Sequence, residues 1–341
     1  MAVPQVGWRA VSATRRGARY DVVGIGNALV DIIAQADDGF LSEEGLVKGS
    51  MTLIETERAV GLYEALGSAV EMSGGSAANT MTGIASFGGK AAYIGKVADD
   101  DLGNVFGHDL RAVGVAFRAG ARATAEPMAT GRCIIVVTPD AQRTMNTYLG
   151  MSSLLHPEDV DVATVADGEV LYMEGYLFDR PDAKEAFWMA AGVAHEHGRQ
   201  VSLTLSDTFC VERHRDDFRR LVAERVDILF GNEHELCSLY ETPDLDKALR
   251  RVRDDLAIAA ITCGAEGSVI ATADGVVRVP AEPVEKVLDT TGAGDLYAAG
   301  FLYGYTNGSS LPECGRLGSI AAAEVISHMG PRPLVELRDL I

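Results

Sequence analysis

The sequence predicts an α/β fold: a mostly parallel sheet covered by helices on both faces, with a small β-rich appendage. Three observations carry that expectation. First, short apolar runs rich in β-branched residues stop at glycine or polar residues: "YDVVGIG" (20–26), "AAYIGKV" (91–97), "GEVLYMEG" (168–175), "QVSLTLS" (200–206), "VDILFGN" (226–232) and "LAIAAITCG" (256–264). Near-continuous runs of this kind mark strands buried on both faces. Second, helical patterns such as "DAKEAFWMAAGVAHEHG" (182–198) and "LDKALRRVRDDL" (245–256) lie between several of them, and strand-helix alternation sets the strands parallel. Third, residues 33–54 and 117–148 carry short strand-like runs joined by Gly, Pro and Asp turns with no long helix between. These two stretches are expected to meet as a β-rich lid. The large body is then 20–32, 55–116 and 149–341.

Composition narrows the function. A chain of 341 residues can bury a large core. Its formal charge of −19 repels nucleic-acid backbones and anionic membrane surfaces. Only residues 1–19 are basic, with four arginines and no acid; they lack the apolar run of a secretory signal and are expected to be a flexible extension. No stretch reaches the ~18 apolar residues of a membrane span. The five cysteines (133, 210, 237, 263 and 314) have no paired short spacing, which argues against a disulfide framework or zinc site and fits a reducing cytoplasm. His195 and His197 fall in a polar helix tail, a solvated helix end in preference to a metal site.

Several segments are suited to ligand chemistry. In "DTTGAGD" (289–295) a helix is expected to begin near Ala293. Its first amides are unpaired and carry the positive end of the dipole, and Gly292, Ala293 and Gly294 let an anion approach the backbone closely. Asp295 then faces that anion, placed to accept the proton of an attacking hydroxyl. The plain alternative is a capped helix start with Thr290 or Thr291 as N-cap. "MSGGSAANTMTGIASFGG" (72–89) offers Gly75 for close backbone approach and Asn79 for hydroxyl groups. A Walker A loop is excluded there by Ile84 and Ala91, and the dinucleotide fingerprint fails in "GIGNALVD" at Leu29. Asp31 follows the first strand at the end where open α/β sheets bind ligands. Asn232 and Glu235 share a helical face, either as an N-cap with its capping box or as holders of water around Mg²⁺. In "TCGAEGSVIA" (262–271), Gly264 and Gly267 allow backbone beside a flat ligand.

Taken in order, "GGSAANTMTGIASFGG", "NEHE", "TCGAEG" and "DTTGAGDLYAAGF" resemble the signature segments of the PfkB-type sugar kinase family, from about residue 20 to the C-terminus. The resemblance implies a ribokinase-like fold and ATP-dependent phosphorylation of a hydroxymethyl group with Mg²⁺. It implies Asp295 as base, with Gly292, Ala293 and Gly294 as anion hole. Asn27, Asp31, Gly75, Ser76 and Asn79 would grip the acceptor, and Asn232, Thr262, Gly264 and Gly267 would bind ATP. Glu235 would organise Mg²⁺ through water. Within the family, "GNALVDI", "TLSDTFCV" and "AAAEVISHMGPRP" resemble the adenosine kinase branch, which implies 5′-phosphorylation of adenosine; fructokinase, ribokinase and ketodeoxygluconate kinase are the rivals. Phe209 would stack on the purine, with Tyr176 and Leu177 as the other wall, or else lie in the core. Arg143, in the expected lid, would close on the transferred phosphate or be a solvated surface arginine. The sequence leaves open a monovalent-cation requirement and the choice between monomer and homodimer.

Overall fold

The structure is a computed structural model and describes residues 17–118, 128–140 and 142–341. The expected N-terminal extension lies almost wholly outside the described residues, as do residues 119–127 and 141 of the expected lid. The strands in chain order are β1 (Tyr20–Ile25), β2 (Leu29–Gln35), β3 (Met51–Leu53), β4 (Ala69–Gly74), β5 (Ala91–Ile94), β6 (Ala116–Phe117) and β7 (Gly131–Val137). They continue with β8 (Arg143–Tyr148), β9 (Gly168–Glu174), β10 (Gln200–Thr204), β11 (Ile228–Asn232), β12 (Ile258–Thr262), β13 (Ser268–Thr272) and β14 (Gly275–Val279).

Nine of them form one sheet in the order β14-β13-β12-β11-β10-β9-β1-β5-β6. All pairs from β12 to β6 are parallel, while β13 and β14 close one edge as antiparallel strands. The mixed α/β class and mostly parallel sheet read from the sequence are therefore correct. The reason is visible strand by strand. Val170 and Tyr172 pack into one layer while Leu171 and Met173 pack into the other, and Ile258 and Ala260 alternate with Ala259 and Ile261 in the same way. One layer is built on the helices Pro181–Glu196, Thr208–Arg225 and Leu245–Asp255, the other on Ser76–Ser86, Ala293–Thr306 and Leu311–Ile326. Both sides of every central strand thus leave water. Among the described residues no helix is long and apolar enough to cross a membrane.

The other five strands form a second sheet in the order β3-β8-β7-β2-β4. It draws on more of the chain than the two stretches expected: residues 29–32 and 69–74, read from the sequence as part of the large body, belong to it. The physical reason is pairing. β2 bonds β4 antiparallel from Leu29↔Gly74 to Ala34↔Ala69 and β7 in parallel from Leu29↔Gly131 to Gln35↔Val137, and a strand's own pattern does not name its partner. Residues 33–54 also hold a short helix, Asp38–Glu43, where only strands were expected; Asp37 caps it by accepting the Phe40 N–H at 3.0 Å.

The two sheets join where β1 passes into β2 through Gly26–Ala28 and where β4 returns through Gly75 into the helix Ser76–Ser86. β1 is also the point at which the chain reverses its direction across the large sheet, since β5 and β6 lie on one side and β9 to β12 on the other. Ligands of open α/β sheets bind at the carboxyl ends of strands beside such a point.

Helix packing in the layer behind this point is close. A Cβ on Gly300 would overlap the Leu317 backbone carbonyl of the neighbouring helix, whereas a Cβ on Gly192, in the helix Pro181–Glu196, meets nothing within 4 Å. Gly300→Ala should therefore cost about 1–3 kcal/mol of stability through overpacking. Gly192→Ala should add about 0.5–1 kcal/mol by restraining the unfolded chain. Urea unfolding of the two variants checks both signs.

Candidate active site

The helix Ala293–Thr306 begins at Gly292, whose φ of 79° lies in the left-handed region and whose missing side chain leaves room for the Pro331 backbone. Neither Thr290 nor Thr291 is the N-cap. The Ala293 amide donates to the Thr290 carbonyl at 3.2 Å, so this one of the three expected anion-hole amides is already engaged in a turn. The amides of Gly292 and Gly294 find no backbone acceptor among the described residues. Gly294 is exposed, with open space where a Cβ would stand. The helix start thus has two free amides on either side of an occupied one, an arrangement suited to an anion.

Asp295 points from the first turn toward the helix Ser76–Ser86. Ser76 Oγ donates to Asp295 Oδ1 at 2.6 Å, and Asn79 Nδ2 donates to Oδ2 at 3.0 Å. Burial pushes the Asp295 carboxyl above its ordinary range, while Ser76, Asn79 and the positive charge of Arg332 pull it back. Ser76 and Asn79, expected to grip the acceptor, are first of all hydrogen-bond partners of Asp295. Arg332 is a residue the sequence reading missed: its Nε donates to Asn79 Oδ1 at 3.2 Å and its Nη1 to Ser73 Oγ at 2.8 Å. Asp31 lies across this group on β2, buried, and desolvation raises its carboxyl to about 6 against the pull of Arg332 and Arg143. Gly74 faces it closely, since a Cβ there would overlap the Asp31 carboxylate.

Asn27 and Gly75 each have a structural task in the fold. Gly75 has a φ of 95° and a Cβ on it would overlap the Asn27 carbonyl oxygen, so glycine is demanded by the crossing of two chain segments. The Asn27 side chain is 2 % exposed and engaged inside the protein: Nδ2 donates to Glu174 Oε1 at 2.9 Å, and Oδ1 accepts from Ser152 Oγ at 3.1 Å. Both polar groups of this side chain are thus engaged within the protein. Glu174, at the end of β9, was also missed; it takes the Ala77 amide on Oε2 at 2.8 Å and so caps a helix whose N-cap residue has no side chain. Burial raises Glu174 to about 7 in spite of these donors. The only sequence signal for it was an acid ending an otherwise buried strand beside a glycine, and for Arg332 a lone cation in "GPRP".

Arg143 is no solvated surface arginine. Its side chain is 7 % exposed and its Nη2 pairs with Asp289 Oδ2 at 2.9 Å. Asp289 also accepts the Thr291 and Gly330 amides, at 3.0 and 2.9 Å. The small sheet thereby reaches the loop that opens the anion site. Leu177 is a correction: it lies 2 % exposed in the core with Phe178 and cannot wall a ligand. Tyr176 is half-buried, donates to the Ser206 carbonyl at 3.3 Å, and feels the charges of Asp207, Asp295 and Glu235. Phe209 is 73 % exposed, which removes the core reading.

Asn232 and Glu235 form a complete capping box, with Asn232 Oδ1 accepting the Glu235 amide at 2.9 Å and the Glu235 carboxylate accepting from Asn232 Nδ2 at 2.6 Å and its backbone N–H at 3.0 Å. Burial, and then the charge of Asp207, raise Glu235 to about 7. Of the two glycines expected at ATP, Gly264 has a φ of 55° and faces open space, whereas a Cβ on Gly267 would overlap the Val279 carbonyl. Gly267 is thus required by packing. Thr262 sits between Asn232 and Ser268 in the sheet register.

A profile of pfkB family carbohydrate kinases matches residues 49–337. The chain belongs to this family. Among solved structures, this pfkB-family protein is 54% identical to an adenosine kinase from Sinorhizobium meliloti, over 95% of this chain and 98% of that one, with a TM-score of 0.86. It is 50% identical to a probable sugar kinase from Rhizobium etli, with the same coverage and a TM-score of 0.87. A curated relative, the 5-dehydro-2-deoxygluconokinase of Geobacillus kaustophilus, is 28% identical over 74% of this chain and 78% of its own length. The ribokinase-like kinase fold read from the motifs is thus correct, and ATP is the family's phosphate donor.

The pfkB-family site also has a measurable titration. Below pH ~4.5 Glu174 is protonated in folded and unfolded chains alike; toward about 7 the unfolded chain releases a proton the fold retains, so stability falls across that window. Glu174→Gln, which cannot titrate, should flatten the dependence of unfolding free energy on pH between 4.5 and 7 by up to about 1.4 kcal/mol per pH unit. Chemical denaturation at a series of pH values reads it.

Proposed function

We propose that the protein transfers the γ-phosphoryl group of ATP to the 5′-hydroxyl of adenosine, giving AMP and ADP. The observation that carries the acceptor assignment is the likeness to the Sinorhizobium adenosine kinase across nearly the full length of both chains. The exposed Phe209 supports it, because a flat apolar face at the end of a large sheet is what a purine can cover.

In this reading Asp295 takes the hydroxyl proton. The free amides of Gly292 and Gly294 balance the charge of the transferring group, and Arg143 adds a guanidinium from the small sheet. Asp31 accepts hydrogen bonds from ribose hydroxyls, helped by Arg332, which favours its ionised form. ATP lies along the turn at Gly264 with its phosphates toward Gly294. Mg²⁺, when bound, offsets phosphate charge. The donor set suits it: Asp207 and Glu235 bring oxygen ligands and like charge close together, and both Glu235 oxygens already accept from Asn232, which favours contact through water. Among the described residues no three His, Cys, Asp or Glu side chains gather as a dedicated metal cage, as is usual where phosphates complete the shell. The small sheet acts as a lid that keeps water from the phosphoryl group.

The second reading, a sugar or sugar-acid acceptor, is favoured by the 5-dehydro-2-deoxygluconokinase relative. An ADP-release assay across adenosine, inosine, guanosine, ribose, fructose and 5-dehydro-2-deoxygluconate decides between them. Adenosine should lead in kcat/KM by several orders of magnitude; a leading free sugar overturns the acceptor assignment and leaves the base in place. Asp295→Asn should lower kcat by about 10³-fold with nucleoside affinity nearly unchanged. Phe209→Ala should lower kcat/KM for adenosine by about 10- to 100-fold while leaving any weak sugar activity unaffected.

A further inference from the structure

We propose that Arg332, in the segment that follows the helix Leu311–Ile326, is a positioning residue of the reaction: it fixes Asn79 as a permanent donor to Asp295 and so dictates which oxygen of the base takes the proton. The inference rests on the reading of Asp295 as base and adds the residue that sets its protonation geometry.

An asparagine side chain presents a carbonyl and an amino group of nearly the same shape, and its neighbours decide which faces which. A guanidinium can only donate. With Arg332 Nε on Asn79 Oδ1 at 3.2 Å, the amino group alone is left for Asp295 Oδ2, which it meets at 3.0 Å. Oδ2 must therefore remain an acceptor before and after proton transfer. Oδ1 is different: its partner is the Ser76 hydroxyl, at 2.6 Å, which can rotate from donor to acceptor. A charged oxygen is a stronger acceptor than a protonated one, so the fixed Asn79 donor keeps the charge on Oδ2 and the proton leaving the acceptor hydroxyl goes to Oδ1. The electron pair of that O–H bond stays on the acceptor oxygen and forms the new bond to phosphorus, as the bond between the γ-phosphorus and the bridging oxygen breaks and leaves with ADP.

Arg332 is itself held from behind. Its Nη1 donates to Ser73 Oγ at 2.8 Å, and the Ser73 amide donates to Asp109 Oδ2 at 2.9 Å, which ties the guanidinium to β4 and to the helix Asp101–Ala112. Its Nη2 is buried and makes no hydrogen bond among the described residues, so the group is not saturated by architectural partners. Facing it are the carboxylates of Asp31 from β2, Asp109, and Asp295, with Tyr93 from β5. Arg143 and Glu174 stand nearby, acting on Asp31 and feeling Asp295 respectively.

The test is a double-mutant cycle on the full-length protein with ATP and the acceptor it turns over best, supported by a ¹³C-carboxyl titration of Asp295. Arg332→Gln should lower kcat by about 10- to 100-fold with the KM for ATP within about twofold. Asn79→Ala should cost a similar factor, and Arg332→Lys, which keeps the charge, should cost no more when added to Asn79→Ala than Asn79→Ala costs alone. Arg332→Lys, which keeps the charge without the fork, should leave kcat reduced yet hold the Asp295 titration near wild type, whereas Arg332→Gln should move it upward. Multiplying losses in the cycle, or an Asp295 titration that does not respond to Arg332→Gln, overturns the proposal. Should Arg332→Gln not fold, the Lys variant carries the test through its kcat, since wild-type turnover there overturns the orientation role. Asp295→Asn run in parallel separates the two readings: if it stays active the base assignment falls and this proposal with it, and if it is inactive while the losses multiply, only the role of Arg332 falls.

Discussion

Everything at the candidate site hangs on the crossing of two chain segments between the sheets. The carbonyl of Asn27 lies where a side chain on residue 75 would stand, so the outgoing and returning segments touch backbone to backbone. That contact brings the end of β1 and the start of the helix Ser76–Ser86 to one place. Glu174 then bridges them, taking Asn27 on one oxygen and the Ala77 amide on the other. A carboxylate buried to 1 % exposure is costly unless its acceptor sites are filled. Here donors from both segments fill them, so a group that burial disfavours also locks the geometry. Ser76 and Asn79 follow in the next turn and reach Asp295.

Asp295 is thus supported from two directions. Glu174 fixes the helix that carries Ser76 and Asn79, and Arg332 fixes the free end of the Asn79 amide. Neither needs to touch a substrate to matter, because an error of a fraction of an ångström in a base costs much of its effect. The same two groups set the electrostatics. Burial raises the carboxyls of Asp31, Glu174 and Asp295 together, and the Arg332 guanidinium opposes that rise at Asp31 and Asp295.

Much of this was legible in the sequence, for reasons that differ from residue to residue. The central strands could be read because burial on both faces leaves continuous apolar runs, and the helix start before Asp295 because small residues run ahead of an acid there. Assignment of β2 and β4 to the small sheet could not be read, since sheet membership is a property of pairs. Asn232 and Glu235 have one pattern with two meanings, and the capping box does not itself choose between them. Leu177 and Phe209 each follow a strand end and look alike in sequence; one turn of chain sends the first into the core and the second into solvent. Arg332 and Glu174 act through partners about 100 or more residues away, a distance along the chain that no local pattern carries.

The sheets are joined at a few short chain segments that gather in one spot. Gly26–Ala28 and Gly75 form one pair, and the other lies where Gly131 and Gly150 pass the backbones of Leu149 and Ala129. Ser152 links the second pair to Asn27. The small sheet is therefore a cassette, and this part of its join to the body is made of glycines, carbonyls and one asparagine. Asp31 and Arg143 lie on the cassette, whereas Asp295 and its helix lie on the chassis. Such a division lets one body drift in sequence while the other stays untouched, so kinases of one family can keep a common frame and differ in the cassette they carry.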